Sequence, residues 1–222
     1  MKLNFVIVSL IICFLFPALA VAGENILITV PFTSQAPLLE WKDQRFQDAC
    51  EEASVLMAMK WVKGEKIEKT TVGKKKVRNE IATMADWEKK KYGSYRDTSA
   101  LDTAKRLLTA YYGYRNWELK LDVKTDDLIV ALKAGKIIIV PTDGRALKNP
   151  NFTGLGPDRH MVLIKGYNED KKTFITNDPG TRKGENYEYS LAILYGAIRD
   201  YPTGNHLAIK ETKKNAIFVS LN

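Results

Sequence analysis

Asp48-Ala49-Cys50-Glu51-Glu52-Ala53-Ser54-Val55-Leu56-Met57-Ala58-Met59-Lys60-Trp61-Val62 places a cysteine at the start of an apolar helix. Asp48 followed three residues later by Glu51 has the form of a capping box, with Asp replacing Ser or Thr. Val55, Leu56, Met59 and Val62 recur at helical spacing, so this helix is predicted to face a core, with Met57 and Met59 as packing residues. Cys50 then falls at the second helical position. Amides left unpaired there, together with the helix dipole, favour a thiolate and predict a lowered pKa. A cysteine at the mouth of a buried helix is held rigidly yet can reach a cleft, as a nucleophile must. The alternative is a small buried hydrophobe.

A thiolate nucleophile needs a base and a group that orients it. Beyond residue 22 the histidines are His160 and His206. His160 opens the strand-like run His160-Met161-Val162-Leu163-Ile164-Lys165-Gly166-Tyr167, and Thr173-Phe174-Ile175-Thr176-Asn177-Asp178 forms a second before Pro179-Gly180. The turn-like Asn168-Glu169-Asp170-Lys171 between them predicts an antiparallel hairpin. A loop centred on Glu169 pairs residues whose numbers sum to 338, which sets Asp178 opposite His160 at a Cβ separation of about 4.5–5.5 Å. A loop of even length turns Asp178 to the other face and makes Asn177 the nearer partner, diagonal to the imidazole. His206 follows the turn-like Tyr201-Pro202-Thr203-Gly204-Asn205 and reads as structural.

The oxyanion that develops on an attacked carbonyl needs donors. The Cys50 amide is one, and Gln35, Gln44 and Gln47 compete for the second. Gln35 lies in the extended Val30-Pro31-Phe32-Thr33-Ser34-Gln35-Ala36-Pro37, whereas Gln44 stands six residues before the cysteine.

The first residues predict export. Met1-Lys2 is positive, Phe5 to Phe16 is apolar except for Ser9, and Ala18-Leu19-Ala20-Val21-Ala22 offers two small-x-small cleavage sites. A signal peptide over 1–22 is therefore expected, with cleavage after Ala22 and a mature domain over 23–222 in the envelope or medium. No stable membrane span is expected after its removal; the alternative is an uncleaved anchor. Of the two cysteines, only Cys50 survives that cleavage, so no intramolecular disulfide can staple the mature protein.

The 222 residues carry 34 Lys+Arg against 26 Asp+Glu, a formal charge of +8, which favours anionic partners such as a cell-envelope surface. Nucleic acid is not expected, because Lys74-Lys75-Lys76 and Lys89-Lys90-Lys91 lack the aromatic and Gly signatures of nucleic-acid modules. An apolar fraction of 45% excludes a wholly disordered chain, and there is no collagen or solenoid period. No clustered His and Cys residues point to a metal site, and no cofactor is expected.

Helices are predicted at Ala49–Val62, Val77–Tyr92, Ser99–Tyr112, Asp126–Ala134 and Ser190–Arg199. Strands are predicted at Ile137–Val140, Met161–Gly166, Thr173–Asn177 and Ala216–Leu221. Helices first and strands later, without strict alternation, indicate an α+β fold in one domain.

Four ordered stretches resemble a known family: Val30-Pro31-Phe32-Thr33-Ser34-Gln35, Ala49-Cys50-Glu51-Glu52-Ala53-Ser54, His160-Met161-Val162-Leu163-Ile164 and Asn177-Asp178-Pro179-Gly180. They look like exported members of the bacteriocin-processing, papain-like cysteine peptidases, over roughly Val30 to Tyr201. The resemblance implies a papain-like α+β fold, its helical N-terminal half packed on a mainly antiparallel sheet. It further implies Cys50 as nucleophile, His160 as base, Asp178 as orienting acid and Gln35 in the oxyanion hole, although papain-like spacing would favour Gln44. Transporter-linked members carry Cys-Gly where this chain has Cys50-Glu51, so their preference for double-glycine leaders does not carry over. The expected activity is a thiol hydrolase cutting peptide or isopeptide bonds in a peptide or protein substrate. Peptidoglycan stem-peptide cleavage or acyl transfer on the same scaffold is a near neighbour. A catalytically silent domain binding peptide or wall polymer is the alternative from another class.

Overall fold

The computed structural model describes residues 25–221, so the signal peptide expected over 1–22 lies outside the described residues. The helical first half forms α1 (Gln44–Gln47), α2 (Cys50–Val62), α3 (Thr71–Tyr92) and α4 (Ala100–Thr103), which runs on into a π-helical segment, Ala104–Tyr111. Two more helices follow, α5 (Thr125–Lys133) and α6 (Leu191–Ala197). The strands are β1 (Ile26–Leu27), β2 (Trp117–Lys120), β3 (Ile137–Thr142), β4 (His160–Asn168), β5 (Thr173–Asn177), β6 (Tyr187–Ser190) and β7 (Ala216–Val219). They make one antiparallel sheet in the order β2-β7-β3-β4-β5-β6, with β1 paired to β4. This is the expected α+β architecture.

The alternation along the central strands explains the layers. Met161 and Leu163 of β4, with Ile137 and Ile139 of β3, pack against α2, α3 and the π-helical segment. Val162 and Ile164, with Ile138 and Val140, pack on the opposite face against Leu128 and Leu132 of α5 and Leu194 of α6. Both faces are therefore covered, and β3 reads as an unbroken apolar run rather than an alternating one. Every residue of α2 from Cys50 to Lys60 is buried, because the helix is clamped between the sheet and α3.

Several boundaries move for local reasons. The α3 helix starts at Thr71 rather than Val77 because the Thr70 hydroxyl accepts the Gly73 amide at 3.1 Å. It ends on Gly93 at φ 82°, where Lys89, Lys90 and Lys91 complement the dipole at the C-terminus. The helix expected at Ser99–Tyr112 is regular only over its first turn. The Tyr112 amide then reaches back to Leu107, five residues away. Strands β1, β2 and β6, two to four residues long, add to those predicted.

Two expectations near the site are corrected. Asp48 does not cap α2: Ala49 occupies the cap without a side-chain bond, and Cys50 is the first helical residue. Arg96 takes Asp48 away in a 2.6 Å ion pair, and Gln44 Nε2 also donates to it at 2.7 Å. The β4–β5 register also differs. Partners sum to 341 beside the turn (Tyr167 with Phe174) and to 340 beyond a bulge between Ile164 and Gly166 (Leu163 with Asn177). Neither 338 nor 339 is realised, because the turn falls one residue later than assumed, over 169–172, and the extra residue in β4 takes only one from the sum.

Candidate active site

The sequence delivers the reactive side chains to one end of the sheet. Cys50 begins α2, His160 begins β4, and Asp178 immediately follows β5. Cys50, His160 and Gln35 line one cavity of about 780 Å³, together with Glu51, Arg159 and His206. The Ser54 hydroxyl of α2 donates to Met161 O, next to His160, at 3.4 Å. The helix and the strand therefore bring thiol and imidazole to a common wall.

The imidazole is fixed from behind. His160 Nε2 lies 2.7 Å from Asp178 Oδ1, which leaves Nδ1 as the nitrogen free to act as base. The Gly180 amide donates to the same oxygen at 2.9 Å. The second oxygen accepts Tyr189 OH at 2.5 Å and Asn149 Nδ2 at 3.2 Å. Burial alone would raise the Asp178 pKa. The neighbouring imidazole and this set of donors outweigh it and hold the carboxyl below its ordinary value. Phe152 packs edge-on to the His160 ring at 5.4 Å and shields it from solvent. Asn177, the competing partner, turns away: its Nδ2 donates to the carbonyls of Val30 and Pro31.

Gly180 and Gly184 are required by close approach. A Cβ on Gly180 would sit 2.8 Å from His160 Cε1 and 2.9 Å from Phe152 Cε1. A Cβ on Gly184 would sit 1.8 Å from the Asp178 carbonyl oxygen, whose residue is also bonded through its amide to Gly184 O at 2.9 Å.

Of the competing glutamines, Gln35 lies in the cavity wall and is buried, whereas Gln44 is exposed and bonded to Asp48. Gln35 braces the two halves of the site. Its backbone amide donates to Pro179 O at 2.8 Å, and its side-chain Nε2 donates to the carbonyls of Phe46 and Gln47 at 3.0 and 2.8 Å. Both amide hydrogens are thus committed, and Gln35 must release one before it can serve an oxyanion. Gln47 also lines the cavity, its side chain donating to Trp41 O. The Cys50 amide belongs to the first turn of α2, whose N–H groups have no i−4 carbonyl.

The thiol does not have the lowered pKa expected of a helix start. Burial raises it, and the adjacent Glu51 carboxylate raises it further by accepting the thiol hydrogen at 3.0 Å. From the sequence, Glu51 stood out only for its place in a capping box and as the departure from a Cys-Gly pair, not as a partner of the thiol. Tyr189 and Asn149 were also missed, although Tyr187-Glu188-Tyr189-Ser190 has a strand-like alternation. His206 also reaches the cavity, where its ring nitrogen Nδ1 meets Arg159 at 2.5 Å and its amide donates to Asp97 at 2.6 Å. The segment carrying it wraps back through Arg159 and Asp97, which no local pattern encodes.

A cysteine-led helix packed against an antiparallel sheet that presents a histidine is the arrangement of papain-like cysteine peptidases. The chain belongs to the Peptidase_C39 like family, whose sequence profile matches residues 27–202. Among solved structures it is similar to a crystal structure from Bacillus anthracis provisionally described as a C39-like peptidase. The two share 16% identity over 90% of this chain and 99% of that one, with a TM-score of 0.48. No curated protein matches the chain. Among the described residues, no helix is long and apolar enough to cross a membrane, and no group of His, Cys, Asp and Glu is arranged to hold a metal ion.

Proposed function

We propose that this protein is an exported cysteine peptidase that cleaves peptide or isopeptide bonds with Cys50, His160 and Asp178. The observation that carries the proposal is the shared cavity wall: a buried helix-start cysteine and an imidazole whose far nitrogen is locked 2.7 Å from a buried carboxylate. In this reading the Cys50 sulfur attacks the acyl carbon while its proton passes to His160 Nδ1. The imidazolium returns that proton to the leaving amine, and water then hydrolyses the thioester with the same imidazole as base. Asp178 fixes the ring orientation and offsets its positive charge. The Cys50 amide, with Gln35 once it releases a carbonyl, receives the oxyanion. A cavity of about 780 Å³ is roomy enough for several residues of an extended chain.

Export and cleavage after Ala22 complete the proposal, and the +7 charge left once Lys2 departs with the signal supports residence at an anionic envelope surface. Two measurements test it. The purified protein is incubated with a peptide library beside its Cys50→Ala variant, and new termini are read by mass spectrometry. Cleavages confined to the native protein are expected, and identical patterns would remove Cys50 from the chemistry. Terminal sequencing of envelope or medium protein is expected to begin at Gly23, whereas an intact Met1 end embedded in membrane would refute export.

A further inference from the structure

Glu51 touches the reacting atom of the proposed nucleophile, and the triad chemistry gives it no task. Its Oε2 accepts the Cys50 thiol at 3.0 Å. Its Oε1 is fixed by the Tyr201 hydroxyl at 2.9 Å and the Thr98 amide at 3.2 Å. The side chain is 1% exposed, so three partners from two separate segments and the helix itself hold one carboxyl against the sulfur. A carboxylate there is the wrong partner for a thiolate, because like charges in contact within a low-dielectric wall repel strongly. A carboxylic acid is the right one, because its O–H can donate to the sulfur. We infer that Glu51 is a fourth catalytic residue of this site, a proton-holding group that suppresses the Cys50 thiolate when ionised and stabilises it when protonated. This rests on the cysteine-peptidase reading above.

The proton balance is explicit. With Glu51 protonated, the thiol proton moves from Cys50 Sγ to His160 Nδ1, and the Glu51 O–H turns to donate to the resulting thiolate. When Glu51 loses its proton to solvent it becomes an acceptor, and Cys50 recovers a proton from His160 Nδ1. One proton leaves the site in the change, and no bond other than those to hydrogen is made or broken.

The surroundings place that change near neutrality. Burial raises the Glu51 pKa most, outweighing the hydrogen bonds from Cys50 and Tyr201, and pushes it up to about 7, with Asp97 adding repulsion. On α2 itself, Glu52 is fully buried beside it. From α3, Glu88 faces this pair, with Arg106 of the π-helical segment 3.9 Å from it. Asp97 in turn is paired with Arg159 at 3.7 Å. Across the cavity stands His160, and before α2 lies Asp48, whose charge is taken up by Arg96. Burial, with repulsion from the neighbouring Asp97, favours the protonated form of Glu51.

The test uses iodoacetamide labelling of Cys50 across pH 5 to 10, read beside peptide cleavage. Native protein is expected to label fast at pH 5–6, to slow at least fivefold as pH rises through about 7, and to speed up again in alkali as any thiol does. Glu51→Gln keeps the size and the bonds to Tyr201 and Thr98 while offering the sulfur a donor at every pH, so the slowing should vanish. Tyr201→Phe removes a bond that favours the carboxylate, so the slowing should move to higher pH in a protein that still carries Glu51. A native profile that only rises with pH, and that Glu51→Gln reproduces, would overturn this role while leaving the peptidase reading standing if cleavage still needs Cys50. Cleavage that survives Cys50→Ala would overturn both.

Discussion

Asp178 Oδ1 meets His160 Nε2 at 2.7 Å because β4 carries one residue more than β5. Beside the turn, partners sum to 341, and that register prolonged would set Asp178 opposite Leu163, on the face away from His160. The bulge between Ile164 and Gly166 changes the sum to 340 and brings Asp178 opposite Val162, two residues from His160 on the same face. The carboxylate then points at the imidazole and is itself held by Tyr189, Asn149 and the Gly180 amide.

Asp178→Asn is expected to cut peptide turnover by roughly 10²–10⁴, because the amide carries no charge to offset the imidazolium and its NH2 would face the donors of Gly180, Tyr189 and Asn149. Tyr189→Phe should cost less, roughly 1–3 kcal/mol of stability from an underbonded buried carboxylate, with its turnover loss mirrored in kcat rather than KM. Steady-state kinetics with a cleavable peptide decides it. Equal kcat in native protein and Asp178→Asn would remove the carboxylate from the machinery.

Gly180→Ala should disable the site without unfolding the chain. The new methyl would press on His160 Cε1 at 2.8 Å and on the Phe152 ring at 2.9 Å, so the imidazole must shift. Overpacking of this kind costs about 1–3 kcal/mol, and a displaced base loses turnover well beyond what that destabilisation accounts for. Circular dichroism melts paired with kinetics measure both. Full activity in the alanine variant would contradict the geometry.

Gln35 and Gln44 separate cleanly. Gln35→Ala is expected to reduce kcat by about 10²–10³ if its amide serves the oxyanion, while Cys50 labelling by iodoacetamide stays near native. Gln44→Ala, altering an exposed side chain bonded to Asp48, should change kcat less than about twofold. Reversal of that order would move the oxyanion donor to Gln44.

Stability should fall from mildly acidic to alkaline pH. Burial and mutual repulsion push Glu51 up to about 7 and Glu88 up to about 8, and raise Glu52 well above its ordinary value. A carboxyl whose folded pKa is raised contributes stability that is whole below its unfolded value of about 4.3 and is lost as pH rises through the folded value. The loss should therefore run from about pH 4.5 to 8. At about 2–4 °C per kcal/mol for a chain of this size, it is readable as a falling Tm. Glu88→Gln should flatten the slope. A Tm that holds or rises between pH 5 and 8 would show these carboxyls ionised at no cost.

The sequence alone determined the α+β class and the elements that carry the candidate site. Helical periodicity from Val55 to Val62 and the paired strand-like runs around Asn168-Glu169-Asp170-Lys171 are local signals, set by a few neighbouring residues, and α2 and the β4–β5 hairpin form where they predict. Cys50 and His160 stood out as candidates for nucleophile and base because few residue types can do that chemistry and each opens a strongly patterned segment. What only the tertiary structure decided depends on distance and parity. A one-residue bulge chose the face of Asp178, which no alternation of apolar residues specifies in strands buried on both sides. Arg96, far along the chain, took Asp48 from its cap, so Glu51 is not held there and turns to the thiol. Tyr201 then fixed Glu51 from 150 residues away. Packing also raised the thiol that local dipole reasoning lowers, because the desolvation of Cys50 depends on everything folded around it.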